Sequence, residues 1–393
     1  MNFRRIIIGG HSVVCAVLAV AWLLCAGVDS SIAAPTVSSV SGTVANGQTI
    51  TITGTNFGSG PTVGGTTDVV LLFDDFEKGT NGSVINPSGT TAAEVGEWTY
   101  TGDSTVPGVN GVPPVYSTSQ KVSGNNAAYM TNPNPDTDWN QRLIALIPSG
   151  ANPTQIFISW WMWIDNQSGN WKVMWPMNNC CSAYDFYAPA YWGFGNGIYA
   201  SNWLSANDLY QNYNIPNVAA STWKRTWQYI DGTGSSPNFY SWELTSSGVV
   251  ADATPTNCAS YSTGSNCGWF NMDGSSSESW QEVLVNGYMG SDATSHIYFD
   301  DIYIAYGPHS RARVEIGNAA TYNACTNLAI ATPTAWGASS ITATVWKGSF
   351  SSSASAYLYV VDSTNTPNAN GYPITFGGGS ATPATPGGLH LEE

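Results

Sequence analysis

Apolar and polar side chains alternate along most of this chain, in short runs separated by residues that favour turns. Residues 154–165 and 223–231 show the alternation most clearly, and few stretches repeat apolar residues with a helical period. A period of two predicts β-strands, because successive side chains of a strand face opposite sides of its sheet. Many short strands of this kind are typical of stacked antiparallel sheets. The pattern therefore predicts an all-β protein built from β-sandwiches.

The two faces of these strands differ in composition, which separates a predicted core from a candidate binding surface. On residues 154–165 one face is uniformly apolar and predicts a core: Ile156, Ile158, Trp160, Met162 and Ile164. The opposite face mixes aromatic and polar side chains: Phe157, Ser159, Trp161, Trp163 and Asp165. Residues 223–231 place a similar mixture on one side: Trp223, Arg225, Trp227, Tyr229 and Asp231. We expect these mixed faces to form one concave surface.

Two segments depart from the alternating pattern. Arg4 and Arg5 precede a long apolar run that ends in small residues at Ala33, which is the layout of a secretory signal over residues 1–33. The sequence therefore predicts a secreted protein, extracellular or on the cell surface. No other apolar run is long enough to predict a membrane span. Residues 379–393 have the composition of a linker and predict a flexible tail.

Composition and charge narrow the class of partner. Only 9% of the residues are charged while 12% are aromatic, which is typical of a loop-rich, exported β-protein. The chain carries 11 basic and 26 acidic side chains, a net charge of −15 at pH 7, so no nucleic-acid partner is predicted. Neutral, hydroxyl-rich partners such as polysaccharides fit this composition better. The sequence leaves the oligomeric state open.

The cysteines are interpreted for an oxidising compartment, because export is predicted. Cys258 and Cys267 bracket a loop of turn-forming residues and are predicted to form a disulfide. Cys180 or Cys181 is an open candidate partner for Cys325. No Cys and His spacing suits a zinc ion, and no organic cofactor is predicted.

A resemblance to a known family appears near the start of the predicted mature chain. The segment PTVSSVSGTVANGQTITITGTNFG, residues 35–58, resembles the opening of an IPT/TIG domain, an immunoglobulin-like module with a T-I-T-G-x-x-F-G motif. The strands that this family places next follow only much later, in residues 312–322, 335–345, 356–361 and 371–377. The resemblance implies one immunoglobulin-like β-sandwich, formed by residues 34–60 and 309–378. It also implies that residues 61–308 are an inserted domain.

The predicted insert carries a second resemblance. It opens with the strand FDDFE, residues 73–77, and closes with FDDIYI, residues 299–304. This layout resembles the concanavalin A-like jelly rolls of lectins, glucanases and heparin-lyase-type polysaccharide lyases. The resemblance implies a jelly-roll β-sandwich that engages a glycan.

The aromatic residues of the insert are the candidates for glycan binding. Sugar rings stack their C–H faces on aromatic rings, while polar side chains take the sugar hydroxyls. The candidate binding residues are Trp161, Trp163, Trp171, Trp175, Arg225, Trp227 and Trp242. The alternative is that these side chains only fill a wide core.

The sequence leaves open whether the protein cleaves a glycan. A glycosidase needs two carboxyl groups roughly 5 to 9 Å apart, for which Glu243 and Glu282 are the candidates. A lyase needs a base and a group that neutralises a uronate, for which Tyr229 is the candidate catalytic residue. The other candidate groups for a lyase are Lys172, Arg225 and His296. A third interpretation is an extracellular structural protein that forms surfaces or filaments.

Two pairs of aspartates give the metal prediction. Asp74, Asp75 and Glu77 lie on the first strand of the insert, and Asp300 and Asp301 lie on its last. If those strands pair, their carboxylates crowd together, and a cluster of oxygen ligands suits Ca²⁺. The sequence therefore predicts a structural calcium ion at these five residues. The alternative is that one aspartate of each pair caps a turn and the other is solvated.

Overall fold

The computed structural model describes residues 33–85, 93–101, 113–131, 141–165, 171–177, 186–187, 190–193, 197–200, 203–204, 213–216, 221–233, 238–253, 279–288 and 296–377. From Ala34 onward the described residues belong to one compact unit. Apart from a 3-10 turn at Tyr322–Ala324, every regular element in these ranges is a strand. The prediction of an all-β protein is therefore confirmed. No helix within these ranges is long and apolar enough to cross a membrane.

Hydrogen bonds join the strands into three sheets of seven, nine and eight strands, and the named strand pairs are antiparallel throughout the described ranges. In chain order the strands are β1 (Thr36–Gly42), β2 (Thr49–Thr55), β3 (Val69–Asp74), β4 (Tyr100–Thr101), β5 (Val115–Ser117), β6 (Ala127–Thr131), β7 (Leu143–Leu146), β8 (Gln155–Ile164), β9 (Trp171–Met177), β10 (Phe186–Tyr187), β11 (Ala190–Gly193), β12 (Gly197–Ala200), β13 (Trp203–Leu204), β14 (Tyr213–Pro216), β15 (Lys224–Asp231), β16 (Asn238–Thr245), β17 (Gly248–Ala253), β18 (Glu282–Tyr288), β19 (His296–Tyr306), β20 (Arg313–Gly317), β21 (Leu328–Trp336), β22 (Ser340–Val345), β23 (Ser355–Val361) and β24 (Tyr372–Thr375).

The seven-stranded sheet contains strands from two distant parts of the chain. Its order is β1-β2-β22-β21-β20-β23-β24, and β2 pairs with β22 in a register that sets Thr49 opposite Thr344. One apolar core unites both parts, because Ile50 and Ile52 pack with Val314 and Ile316. Residues 36–55 and 313–375 therefore share one sheet. The IPT/TIG relationship and the domain boundaries stay predictions.

The chain leaves and rejoins this sheet at neighbouring points. The Asp68 carboxylate accepts a hydrogen bond of 2.6 Å from the backbone N–H of His309 and lies 2.9 Å from the His309 Nδ1. Gly307 has a φ of +112°, and a Cβ there would come 2.2 Å from the Thr67 carbonyl oxygen. Only glycine fits this close approach. It places the segment that leaves the seven-stranded sheet, at Thr67 and Asp68, beside the segment that returns to it, at Gly307 and His309.

The other two sheets face each other across an apolar core. The nine-stranded sheet has the order β14-β12-β11-β9-β18-β7-β4, and β10, which pairs with β9 and with β13, adds its last two strands. The eight-stranded sheet has the order β17-β16-β15-β8-β19-β6-β5, and β3 adds the eighth strand by pairing with β19. The core takes Val283 and Val285 from β18. From β8 it takes the five residues predicted for it: Ile156, Ile158, Trp160, Met162 and Ile164. The predicted core face of residues 154–165 is therefore confirmed.

The second face of the eight-stranded sheet packs against the seven-stranded sheet. A further apolar core joins Phe157 and Trp227 to Leu328, Ile330 and Tyr359. The three sheets consequently lie in layers, with the eight-stranded sheet in the middle. The expectation that its whole mixed face is an open concave surface is wrong, because a second sheet covers most of that face.

Candidate functional site

The covered end of the mixed face holds four of the predicted site residues. Trp227 is fully buried, and Arg225, Tyr229 and Trp242 are almost completely buried. Arg311, which leads into β20, lies over the rings of Tyr229 and Tyr240 at 4.6 and 5.1 Å. The sequence analysis placed Arg225, Trp227 and Tyr229 on one face, and the structure adds Trp242 to it, but the seven-stranded sheet covers all four residues. Their packing is part of the contact between sheets.

Arg225 makes the most direct polar link between the two sheets. One of its terminal nitrogens lies 2.7 Å from the Glu315 carboxylate, and the other donates to the Leu328 carbonyl at 3.1 Å. Burial raises the pKa of Glu315, but the charges of Arg313 and Arg225 outweigh that effect and lower the pKa below its usual range. Glu315 is therefore ionised, and Arg225 is satisfied inside the interface instead of being presented to a sugar.

Beyond the covering sheet, the same face ends in an open aromatic patch. We define the open aromatic patch as the partly exposed residues Tyr129, Trp163, Asp165 and His296, together with Tyr298, which is only 8% exposed and packs between the first two rings. The rings form a continuous row, because Trp163 and Tyr298 have centroids 5.4 Å apart and Tyr298 and Tyr129 have centroids 4.9 Å apart. The register explains the row, since Trp163, Tyr298 and Tyr129 lie directly opposite one another on β8, β19 and β6.

A histidine and an aspartate complete the open aromatic patch. The His296 ring stacks on Tyr129 with centroids 5.8 Å apart. The His296 Nδ1 lies 2.5 Å from Asp165 Oδ2, and the side chains of His296 and Asp165 are 45% and 31% exposed. Two aromatic surfaces and two polar groups thus reach solvent at one point, which is the composition that a glycan-binding surface needs.

The tyrosine hydroxyls of the patch are hydrogen-bonding groups. Burial, followed by the charge of the neighbouring Tyr298, raises the pKa of Tyr129. Burial also raises the pKa of Tyr298, whose hydroxyl interacts with Ser117 and Ser119. Both hydroxyls therefore stay protonated at neutral pH, where they donate and accept hydrogen bonds.

The sequence analysis placed Trp163 and Asp165 on the mixed face and named His296 as a candidate group for a lyase, but it missed Tyr129 and Tyr298. Tyr298 directly precedes Phe299 and the aspartate pair that gave the metal prediction. The sequence did contain a signal for Tyr298, since His296 and Tyr298 are two residues apart and therefore share one face of β19. The pairing of β6 with β19, which brings Tyr129 to this face, is not visible in the local pattern.

The remaining predicted tryptophans lie elsewhere. Trp161 is half-buried and packs at the border of the covered end. Trp171 and Trp175 belong to β9 in the nine-stranded sheet, so a different sheet carries them from the one that carries Trp163. The predicted binding residues therefore do not form one surface.

The candidate catalytic carboxylates lie on different sheets. Glu243 lies on β16 of the eight-stranded sheet, where its carboxylate is 3.3 Å from Lys224 Nζ. Glu282 lies on β18 of the nine-stranded sheet and lines a cavity of about 360 Å³ beside Leu146 and Trp280. The structure thus separates the two residues that a glycosidase would have to bring together.

The candidate lyase groups are also dispersed. Tyr229 is buried, and burial raises the pKa of its hydroxyl well above the usual range, so it is a poor base. Arg225 forms a buried ion pair with Glu315. Lys172 belongs to β9 of another sheet, and His296 alone lies in the open aromatic patch.

The predicted calcium ligands serve mainly as acceptors for hydrogen bonds. The Asp74 oxygens accept from Phe76 N–H and Trp98 Nε1–H at 2.7 and 2.6 Å. One oxygen of Asp300 accepts the N–H groups of Val122 and Ser123 at 2.8 and 3.0 Å. These bonds fix the chain next to the strands that carry the carboxylates.

Glu77 has the same role, since it accepts the N–H groups of Asn125 and Asn126, each at 2.7 Å. In the described part of the chain, no three His, Cys, Asp or Glu side chains form a group that could hold a metal ion. The structural calcium ion at these five residues stays a prediction. Burial raises the pKa of the Asp75 and Asp301 carboxyls, and the nearby charge of Asp301 raises the pKa of Asp75 further.

The cysteine predictions fall largely outside the described residues, since Cys180, Cys181, Cys258 and Cys267 all lie there. Cys325 is described, and it is a buried free thiol. The open pairing of Cys325 with Cys180 or Cys181 is therefore not formed in this structure.

No family model matches this chain, and no curated protein matches it either. Among solved structures it is similar to the cellulose-induced protein Cip1, at 14% identity and a TM-score of 0.38, over 59% of this chain and 96% of that one. It is also similar to a GH131 β-glucanase catalytic domain from Podospora anserina, at 14% identity and a TM-score of 0.35, over 61% and 96%. The receptor-binding domain of botulinum neurotoxin type G gives 11% identity and a TM-score of 0.34, over 74% and 72%. We transfer no activity from these similarities.

Proposed function

We propose that this protein is a secreted polysaccharide-binding protein whose contact with the glycan is the open aromatic patch. The observation that carries the proposal is the row Trp163, Tyr298 and Tyr129, which meets the half-exposed pair of His296 and Asp165 at the uncovered end of the sheet. Aromatic rings take the C–H faces of sugars, and the polar groups take hydroxyls. Secretion rests on the predicted signal at residues 1–33.

Binding is favoured over cleavage by the positions of the titratable groups. The acid pair of a glycosidase is divided between two sheets, and the groups of a lyase are dispersed. Within the patch, the His296 ring is already paired with the Asp165 carboxylate, which suits a neutral or weakly charged glycan better than a strongly anionic one.

The test is a pull-down of the protein on insoluble polysaccharides, with release of reducing ends and of unsaturated uronates measured in the same samples. We expect retention without release on at least one neutral glycan. His296→Gln should weaken retention, because it changes the polar edge of the patch.

The chain offers a matched control in His309. It makes the same bidentate contact with an aspartate, through its backbone N–H and its Nδ1 to Asp68, and its side chain is 39% exposed. His309→Gln should leave retention unchanged. Equal losses in both variants would argue against the patch, and absence of retention on every glycan would favour the structural interpretation.

A further inference from the structure

The inner face of β15 and β16 carries polar side chains where a sandwich core is expected. Thr226 and Gln228 lie on β15, directly opposite Glu243 and Ser241 of β16. Thr226 and Gln228 also lie opposite Trp160 and Ile158 of β8, which belong to the core between the nine- and eight-stranded sheets. These four polar residues therefore point into the sandwich. Together with Lys224 and Trp160 we name them the inner polar cluster.

Several polar atoms of the inner polar cluster are buried and unsatisfied. Gln228 and Ser241 are 0% exposed. Among the described residues, no hydrogen-bond partner exists for Oε1 and Nε2 of Gln228, for Oγ of Ser241 or for Nε1 of Trp160. Native proteins rarely leave a buried amide with both of its polar atoms unpaired, since removal from water is costly without a new partner. These atoms are therefore free to bind a hydrogen-bonding molecule.

The neighbouring positions show that an apolar alternative was available. Ile230, two residues after Gln228 on the same face, packs into the apolar core beside Ile156. Leucine or methionine at position 228 would continue that core. The chain instead has a group with two donors and an acceptor at this position.

One end of the inner polar cluster reaches solvent. The side chains of Lys224 and Glu243 are 15% and 7% exposed, and Val250, opposite Glu243 on β17, is 42% exposed. The side of the cluster next to β17 is therefore its most exposed side. The charges of Lys224 and Glu243 offset each other at 3.3 Å, so this side does not select a strongly charged ligand.

We propose that the inner polar cluster binds a neutral, polyhydroxylated small molecule of the size of one sugar ring. Adjacent donors and acceptors on facing strands match neighbouring hydroxyl groups, each of which both donates and accepts. Opposed side chains of an antiparallel pair have Cβ atoms roughly 4.5 to 5.5 Å apart, which is within the span of one sugar ring. This site lies on the opposite face of the sheet from the open aromatic patch, so the two proposals stand independently.

The experiment measures thermal unfolding of the secreted chain with D-glucose, D-galactose, D-xylose or glycerol, and isothermal titration with the same compounds. We expect at least one sugar to raise the Tm of the wild type by several degrees and to give a saturable heat. Gln228→Leu should abolish the saturable part. A sugar that acts only as an osmolyte raises the Tm of the wild type and of Gln228→Leu equally, and this distinguishes the osmolyte effect from binding.

Two control variants separate this site from other effects. Gln141 is another buried glutamine, but it accepts from Thr131 N–H at 2.8 Å and donates to the Pro113 carbonyl at 3.2 Å. Gln141→Leu should lower the Tm and keep the sugar-dependent shift. Trp163→Ala should weaken polysaccharide retention and likewise keep that shift, so failure of one proposal does not imply failure of the other.

The contrary result is equally definite. If no sugar binds the wild type and Gln228→Leu unfolds at a higher temperature, the inner polar cluster holds ordered water or nothing, and the proposal is wrong. Should Gln228→Leu fail to fold, Ser241→Ala replaces it, and a saturable heat that is identical in Ser241→Ala and the wild type overturns the proposal.

Discussion

The two ends of one sheet face carry similar side chains and differ in their exposure to solvent. Trp227 and Trp163 both belong to the mixed face of the eight-stranded sheet, yet Trp227 is fully buried and Trp163 is only partly buried. The difference is the seven-stranded sheet, whose Leu328 and Tyr359 share a core with Trp227 but not with Trp163. Residue type and parity therefore identify the face, and long-range packing decides which part of it can bind a ligand.

The covered end should dominate stability. Trp227→Ala removes a fully buried indole from the core between two sheets, and the cavity adds to the lost burial. We expect the free energy of unfolding to fall by about 3–5 kcal/mol. Trp163→Ala should cost well under half of that, because its ring is partly exposed. Urea unfolding followed by circular dichroism measures both, and equal losses would remove the distinction between the two ends.

The polar link within the covered end gives the next largest effect. Glu315→Gln leaves Arg225 and Arg313 in the interface without their negative partner. We expect a loss of about 2–3 kcal/mol in the free energy of unfolding. The control is Lys78→Gln, since the Lys78 side chain is 38% exposed where it pairs with Glu94 at 3.0 Å, and its loss should change stability by less than about 1 kcal/mol.

The same link makes stability depend on pH in a defined direction. The pKa of Glu315 is lower in the folded protein than in the unfolded chain, so its contribution is present at neutral pH and is lost as the pH falls through the folded value. Glu315→Gln should remove that part of the acid sensitivity. A wild type and a variant with parallel Tm profiles below pH 5 would contradict the ionised interface.

The open end should dominate binding. Trp163→Ala is expected to weaken retention on a bound polysaccharide about tenfold, equivalent to ~1.4 kcal/mol. Trp336, a half-buried tryptophan of the seven-stranded sheet, provides the control, and Trp336→Ala should retain the wild-type affinity. Depletion isotherms on the insoluble glycan give both affinities.

The carboxylates at Asp75 and Asp301 predict a smaller effect of opposite sign. Burial, followed by the charge of Asp301, raises the pKa of Asp75 above that of the unfolded chain. The folded state therefore binds more protons, and this pair should lower stability as the pH rises from about 4 towards neutrality. The gain in Tm of Asp75→Asn over the wild type should therefore be larger at pH 7 than at pH 4. An unchanged profile would contradict the raised pKa.

Chelation should have the smallest effect. Because Asp74, Glu77 and Asp300 already accept backbone or indole N–H groups, we expect EDTA to leave the Tm unchanged. A rise of several degrees with added CaCl₂, reversed by EDTA, would instead support the calcium ion predicted from the sequence.

Local pattern was sufficient for the strands and their faces. The alternation in residues 154–165 predicted the core residues Ile158 and Trp160, because a strand fixes parity within itself. Local pattern was insufficient for Arg225. Its neighbours along the strand suggested a sugar-binding residue, but it is buried against Glu315, 90 residues away along the chain. The patch itself depends on β6 joining β19, and no local signal encodes that pairing.

The central claim is that one end of the mixed face is open and binds glycan while the other end is covered. Hydroxyl-radical footprinting with mass spectrometry tests it most directly, by measuring side-chain oxidation with and without a retained polysaccharide. We expect Trp163 and Tyr129 to be oxidised in the free protein and protected by the glycan, and Trp227 and Tyr303 to stay unoxidised in both states. Oxidation of Trp227 at the rate of Trp163, or no protection of Trp163 by a retained glycan, would contradict the account.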